Sequence, residues 1–257
     1  MTDELLISER HGRMAGLRLN RPARLNALND SPLDALRGAI DHVGEEVPID
    51  AVVITGAGRA LWAGGDLEML TAWRSLTARE RRAHYLKGSS PVLRLAQLPL
   101  AVVAAVNGTA VGAGFDLALS ADLCLAPRSA CFVSGVGMMG LVPDFGGTRL
   151  LARMVGISRS RRVLGGERLT AATACEWGIV AEVTDCDHLL EEAFATAGKL
   201  ALEESRQPTR RPSTPSSPRP RVLPSHWSRP PRSRVCSWTR PNTTSASSGS
   251  WSAAGSR

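Results

Sequence analysis

Leu100-Ala101-Val102-Val103-Ala104-Ala105-Val106, closed by Asn107-Gly108 and followed by the small-residue run Gly112-Ala113-Gly114-Phe115-Asp116, decides the fold of this chain. Seven apolar residues with no alternating polar face read as a strand covered on both sides. Asn107-Gly108 is a turn. The stretch from about Gly112 to Ser120 then reads as a helix of small residues, and Leu123-Cys124-Leu125-Ala126 returns as a second buried strand. Strand, turn, helix and strand, with apolar strands, argue an α/β fold with covered sheets.

The same signals recur outward from this centre. Ala51-Val52-Val53-Ile54-Thr55 is another buried strand, ended by Gly56-Ala57-Gly58. Residues 4–20 read as two strands around the turn His11-Gly12-Arg13. Asp30 or Ser31 caps a helix with Pro32 at its first position, and Leu33, Leu36, Ile40 and Val43 fall on one face of it. Residues 67–86 look helical with weak patterning. Residues 146–164, 170–177 and 188–204 read as helices, and 179–184 as a strand.

Composition narrows the function classes. At 257 residues the chain is long enough to bury a full core in one large domain or two small ones. It carries 31 Lys and Arg against 24 Asp and Glu. Nine of those arginines, and no Lys, Asp or Glu, lie between Pro208 and Arg257, which leaves 22 basic against 24 acidic residues in the body. The body therefore gives no electrostatic reason to expect a nucleic-acid partner. No apolar run reaches the length of a membrane span, and the first ten residues hold no apolar signal segment. A cytoplasmic location is expected. The five cysteines and five histidines show no metal spacing, so no metal is expected. Gly112-Ala113-Gly114 does not extend to G-x-G-x-x-G, because residue 117 is Leu, which argues against a nicotinamide cofactor.

Two stretches carry the chemistry: Ala63-Gly64-Gly65-Asp66-Leu67, and Asn107-Gly108 through Gly112-Ala113-Gly114 to Asp116. Each puts small residues where a buried strand gives way to a loop or helix. Such residues let a ligand approach the backbone and leave N–H groups to point at it. Two donors aimed at one point make an oxyanion hole. That suits a substrate whose carbonyl becomes an enolate or a tetrahedral oxyanion.

The stretches belong to a longer ordered pattern. Asn20-Arg21-Pro22 with Asn26-Ala27-Leu28 comes first, then Leu61 to Leu67, then Val106-Asn107-Gly108 running through Gly112-Ala113-Gly114 to Leu119 and Ala121-Asp122-Leu123, then Gly140-Leu141-Val142-Pro143-Asp144-Phe145-Gly146-Gly147-Thr148. Over residues 4–200 this set resembles the crotonase family, also called the enoyl-CoA hydratase/isomerase family. The resemblance implies a spiral of strand-strand-helix units, assembly as trimers or hexamers, and an acyl-CoA thioester substrate, with no cofactor beyond the coenzyme A of that substrate. It places the oxyanion hole at the N–H groups of Gly65 and Ala113. It assigns substrate contacts to Ala63, Gly64, Asp66, Leu67, Glu68 and Gly112, and brings Arg21 and Arg24 near the CoA phosphates.

The resemblance departs from the family's hydratases at the acids. They use two glutamates around one water. Asp116 is the acid nearest the first glutamate's place, and Val136 stands at the second. Asp144 occupies the place where family isomerases keep a proton-shuttling Asp. These positions imply double-bond isomerisation with Asp144 and Asp116 as catalytic residues, hydration as the runner-up, and an acyl-CoA binder without catalysis as a third reading. Both acids also have structural readings, Asp144 as the cap of the helix beginning near Gly147 and Asp116 as a polar residue in a helix's first turns.

After Gln207 the character changes. Fifty residues hold nine Pro, thirteen Ser and nine Arg with no helical or strand period, the composition of a disordered tail. It cannot supply the C-terminal helices that the resemblance implies for assembly, so residues 1–200 are read as the acyl-CoA-binding core and 208–257 as a separate tail. With Trp227, Trp238 and Trp251 the tail has one reading as an RNA-binding arm. Translation out of frame fits better. Read from the third base of each codon, GC-rich codons for Ser237 to Arg257 permit an acidic helix ending in Phe and basic residues, and Trp238 before Thr239 forces an Asp. Sequencing of the coding DNA around the Pro208 codon is expected to uncover a gained or lost base. An intact frame, with salt-sensitive RNA binding that disappears on deletion of 208–257, is the opposite outcome.

Overall fold

The computed structural model describes residues 5–45, 48–141, 143 and 145–206; Asp144 and the tail 208–257 lie outside them. The N-terminal hairpin forms as expected, β1 (Leu6–His11) pairing antiparallel with β2 (Met14–Leu19). Helix α1 (Asp30–Glu45) buries Leu33, Leu36, Ile40 and Val43, the face its spacing marks out. Strands β3 (Ala51–Gly56), β5 (Ala101–Ala105) and β7 (Leu123–Pro127) are buried along their whole length. With β1, β2 and β10 (Glu182–Thr184) they form a six-stranded sheet in the order β1-β2-β3-β5-β7-β10, parallel from β2 onward.

The unbroken apolar runs of these strands follow from two cores, one on each face. Val52, Ile54, Val102, Ala104 and Cys124 join the main core beneath α1 and α3 (Ala78–Gln97). Their neighbours Ala51, Val53, Ala101, Val103 and Leu123 pack with Leu189, Ala193 and Ala197 of α7 (Leu189–Arg206). Ile54, Leu36 and Ile40 are wholly buried, each contributing about 1.5–3 kcal/mol relative to exposure.

A second sheet escapes the sequence reading altogether. Strands β4 (Ala60–Trp62), β6 (Thr109–Val111), β8 (Cys131–Val133) and β9 (Arg168–Thr170) have three residues each and pair in the order β4-β6-β8-β9. Three residues are too few to display a period of two. Each successive pair, β3 then β4, β5 then β6, β7 then β8, puts its first strand in the large sheet and its second in the small one. A helix then returns the chain: α2 (Leu67–Ala72) with α3, α4 (Ala113–Ser120) and α5 (Gly147–Leu164). This is the strand-strand-helix spiral. Asn107 fastens one corner of it, accepting from Gly56 N (3.3 Å) and donating to the Gly58 carbonyl (2.7 Å).

The helix expected over 67–86 breaks after α2 and restarts at Ala78. Thr77 and Glu80 form a capping box there, with Thr77 N donating to Glu80 Oε2 (2.8 Å) and Glu80 N to Thr77 Oγ1 (3.3 Å). Helix α3 then continues through Pro91 to Gln97. Proline has no N–H for the Lys87 carbonyl, and the Ser90 hydroxyl donates to that carbonyl instead (2.8 Å). The strand expected over 179–184 shortens to β10, preceded by α6 (Ala171–Glu176). Among the described residues no helix is long and apolar enough to cross a membrane, and no group of His, Cys, Asp or Glu is arranged to hold a metal ion.

On α7, burial raises the Glu192 carboxyl above the ordinary range, and Glu182, Asp185 and Glu191 add to the shift while His188 opposes it. No donor among the described residues reaches its buried Oε2. A carboxyl whose folded-state pKa is raised favours folding when protonated, and that contribution fades as pH rises through the raised value. Glu192→Gln is therefore expected to raise Tm at pH 7, with the gain disappearing below about pH 4, where the wild-type group is neutral in both states. Thermal melts at the two pH values check this.

Candidate active site

A cavity of about 680 Å³ lies where β4 and β6 end. One wall is the loop Ala63-Gly64-Gly65-Asp66, another is Gly112 and Ala113 at the head of α4, and a third holds Val136. The two small-residue stretches singled out in the sequence, with Gly65 and Gly112 47 residues apart, are thus brought to one space.

The loop wall is set by its peptide planes. Leu28 forms a parallel bridge with Gly65, Leu28 N donating to the Gly64 carbonyl (3.0 Å) and Asp66 N to the Leu28 carbonyl (3.0 Å). The indole N–H of Trp62 donates to the same Gly64 carbonyl (2.7 Å). A trans peptide is planar, so its C=O and N–H point in opposite directions. Two donors fixing the Gly64 carbonyl therefore fix the Gly65 N–H as well, turned away from Leu28. Gly64 holds φ +87, in the region that favours glycine.

The same reasoning applies across the cavity. Gly112 N donates to the Val133 carbonyl (2.9 Å), and the Gly112 carbonyl accepts from Asp116 N (3.0 Å) in the first bond of α4. The Ala113 N–H then points outward from the helix start, where the helix dipole favours negative charge. Gly112 adopts φ 54 and ψ −118, a conformation that a side chain disfavours. Among the described residues, neither the Gly65 nor the Ala113 N–H has a backbone acceptor. Gly114 locks the two walls together. A β-carbon there would run into the Trp62 carbonyl oxygen and lie 2.8 Å from Trp62 Cβ, so only glycine lets α4 seat against the end of β4.

The charged residues separate into struts and rim. Asp66 is 7% exposed. It caps α2 by accepting from Glu68 N (3.1 Å) and faces Arg21 Nη2 at 3.5 Å. Arg21 also donates to the Ala27 carbonyl (2.5 Å), so it braces the loop from behind. Arg24 and Glu68 lie at the exposed mouth, paired at 3.1 Å, beside the exposed Leu67. Asp116 is 4% exposed and is not on the cavity wall. Its carboxylate lies against Gly147, the first residue of α5, where a β-carbon would collide with it. Asp144 lies outside the described residues, whereas its neighbour Phe145 lines the cavity.

Two contributors were missed in the sequence. Asn26, fully buried with φ 57, donates to the Ala57 (2.9 Å) and Ala60 (2.8 Å) carbonyls and accepts from Arg21 N (2.8 Å). It straps the 21–28 segment beside β4. Trp62 reads as an ordinary packing residue until its indole N–H is placed. Asn26 had a detectable signal, its place beside Ala27 and Leu28 in the first element of the ordered pattern; for Trp62 no sequence signal distinguishes the two roles.

Comparison with known proteins agrees with this architecture. A family model described as enoyl-CoA hydratase/isomerase matches residues 9–210. The chain is 38% identical to 1,2-epoxyphenylacetyl-CoA isomerase of Escherichia coli, over 80% of this chain and 78% of that protein. It is 39% identical to 2,3-dehydroadipyl-CoA hydratase of the same organism, over 77% and 76%. The crystal structure of an enoyl-CoA hydratase from Polaromonas sp. JS666 superposes with a TM-score of 0.72 at 31% identity, covering 79% of this chain and 84% of that one.

The contact at Gly114 yields a direct test. Gly114→Ala is expected to destabilise the fold by about 3 kcal/mol, the upper end for overpacking, because the obstacle is backbone and cannot turn aside. Urea denaturation measures it.

Proposed function

We propose that this chain, which belongs to the enoyl-CoA hydratase/isomerase family, holds the thioester oxygen of its substrate between the N–H groups of Gly65 and Ala113. Membership makes it an acyl-CoA-processing enzyme that acts on a thioester. The observation that carries the finer proposal is the pair of N–H groups on one cavity, each turned by a fixed peptide plane and neither taken by a backbone acceptor among the described residues. Removing a proton beside a thioester carbonyl moves charge onto its oxygen. Donors already in place stabilise that charge without rearrangement, and loss of one costs about 3–4 kcal/mol. Ala63, Gly64 and Gly112 let the substrate reach the backbone, and Asp66, Leu67 and Glu68 lie along the loop that receives the rest of the CoA ester.

For the fate of the enolate, we infer isomerisation. One acid takes a proton from one carbon and returns it to another while the enolate is held. Asp144 is the residue assigned this role, with Asp116 of α4 assisting, its carboxylate lying against Gly147 at the start of α5. Val136 on the cavity wall supports a single-acid reaction, since a valine side chain neither transfers a proton nor orients water. Hydration is the second reading, and the relatives favour it: the dehydroadipyl-CoA and Polaromonas proteins are both named hydratases.

Product analysis with crotonyl-CoA and a 3-enoyl-CoA separates the two. Isomerisation shifts the double bond into conjugation at constant mass, whereas hydration adds one water. Conversion of the 3-enoyl ester is expected, and Asp144→Asn is expected to slow it about a hundredfold or more. Vigorous hydration that survives Asp144→Asn would replace isomerisation with the second reading. Binding without turnover of either ester would leave a non-catalytic acyl-CoA protein.

A further inference from the structure

Helix α3 presents Gly88 to the cavity, and nothing in the backbone there asks for a glycine. The residue is buried inside a continuous helix. A β-carbon would meet only side chains, Phe145 Cζ at 3.8 Å and Leu33 Cδ1 at 4.0 Å, both ordinary contact distances. Gly114, whose β-carbon would strike backbone, is the contrasting case. Glycine is an unfavourable residue in a helix interior, so α3 gives up stability at Gly88 with no steric return within the protein. What the missing side chain leaves is space in the cavity.

The position of that space identifies what fills it. Arg24 and Glu68 mark the exposed, charged mouth, which suits the polar CoA portion. Gly88, Leu33 and Phe145 are buried and apolar, which suits the acyl portion. Three of the chain's six tryptophans lie beyond Gln207. Of the eight aromatic residues that precede it, four line this one cavity: Trp62, Trp73, Tyr85 and Phe145. They form two edge-to-face pairs, Trp62 with Phe145 at 5.7 Å and 83°, and Trp73 with Tyr85 at 5.2 Å and 76°. Such pairs offer ring faces and edges to a further ring, whose quadrupole they complement.

We propose that Gly88 is a specificity-determining residue, holding the acyl end of the cavity open for a ring-bearing acyl group. The proposal rests on the acyl-CoA reading above. Calorimetric titration of wild type, Gly88→Ala and Gly88→Val with phenylacetyl-CoA and butyryl-CoA tests it, since neither ester has an alkene to move or hydrate. Wild type is expected to bind the phenylacetyl ester about tenfold or more tighter, and this preference is expected to fall through Gly88→Ala and reverse in Gly88→Val. Gly88→Ala is also expected to raise Tm by removing the helix penalty, which separates a lost preference from a damaged fold. A preference that is absent in wild type, or that the substitutions leave unchanged, overturns the proposal. Failure of wild type to bind either ester overturns the acyl-CoA reading itself.

Discussion

The peptide plane between Gly64 and Gly65 is the constraint on which the site depends. Its carbonyl is held by two donors of different origin, the backbone N–H of Leu28 and the indole N–H of Trp62. Because the plane is rigid, those two bonds orient the Gly65 N–H without touching it. The donor side of the plane stays open while the acceptor side is saturated. Preorganisation here consists of spending every local hydrogen bond on the face turned away from the cavity.

That plane would have no partner without close backbone approach. Gly114 brings the start of α4 against the carbonyl of Trp62, the same residue whose indole steadies Gly64. Trp62 thus couples both walls, its main chain touching α4 and its side chain the loop. Behind the loop, Asn26 and Arg21 tie the 21–28 segment to β4 and to Asp66. The polar residues nearest the site therefore act chiefly on backbone, and the cavity they enclose is lined mostly by apolar and aromatic side chains. Charge developing on a ligand in such a space is weakly screened, which strengthens the two N–H donors relative to their value in water.

Asp116 shows how one acidic residue can be read two ways. Its place in the sequence, three residues into a helix that begins at the cavity, draws it towards chemistry. In the fold its carboxylate sits at the first residue of α5, against Gly147, joining two helices whose starts converge. A carboxylate favours that end of a helix.

Local pattern determined much of this protein. The apolar runs at 51–55 and 100–106, the one-sided helix at 30–45 and the glycine pairs at 64–65 and 112–114 are legible because burial and backbone geometry act within a few residues. The ordered motifs were enough to place the chain in its family. What the tertiary structure alone decided is non-local. The small sheet consists of three-residue strands with no period of their own, so only pairing with β4, β6, β8 and β9 neighbours defines them. The role of Trp62 depends on which carbonyl its indole meets, and the role of Gly88 on what faces it across the cavity. Sequence records which side chains are present; the directions of N–H groups and the volumes left empty arise only when distant segments pack.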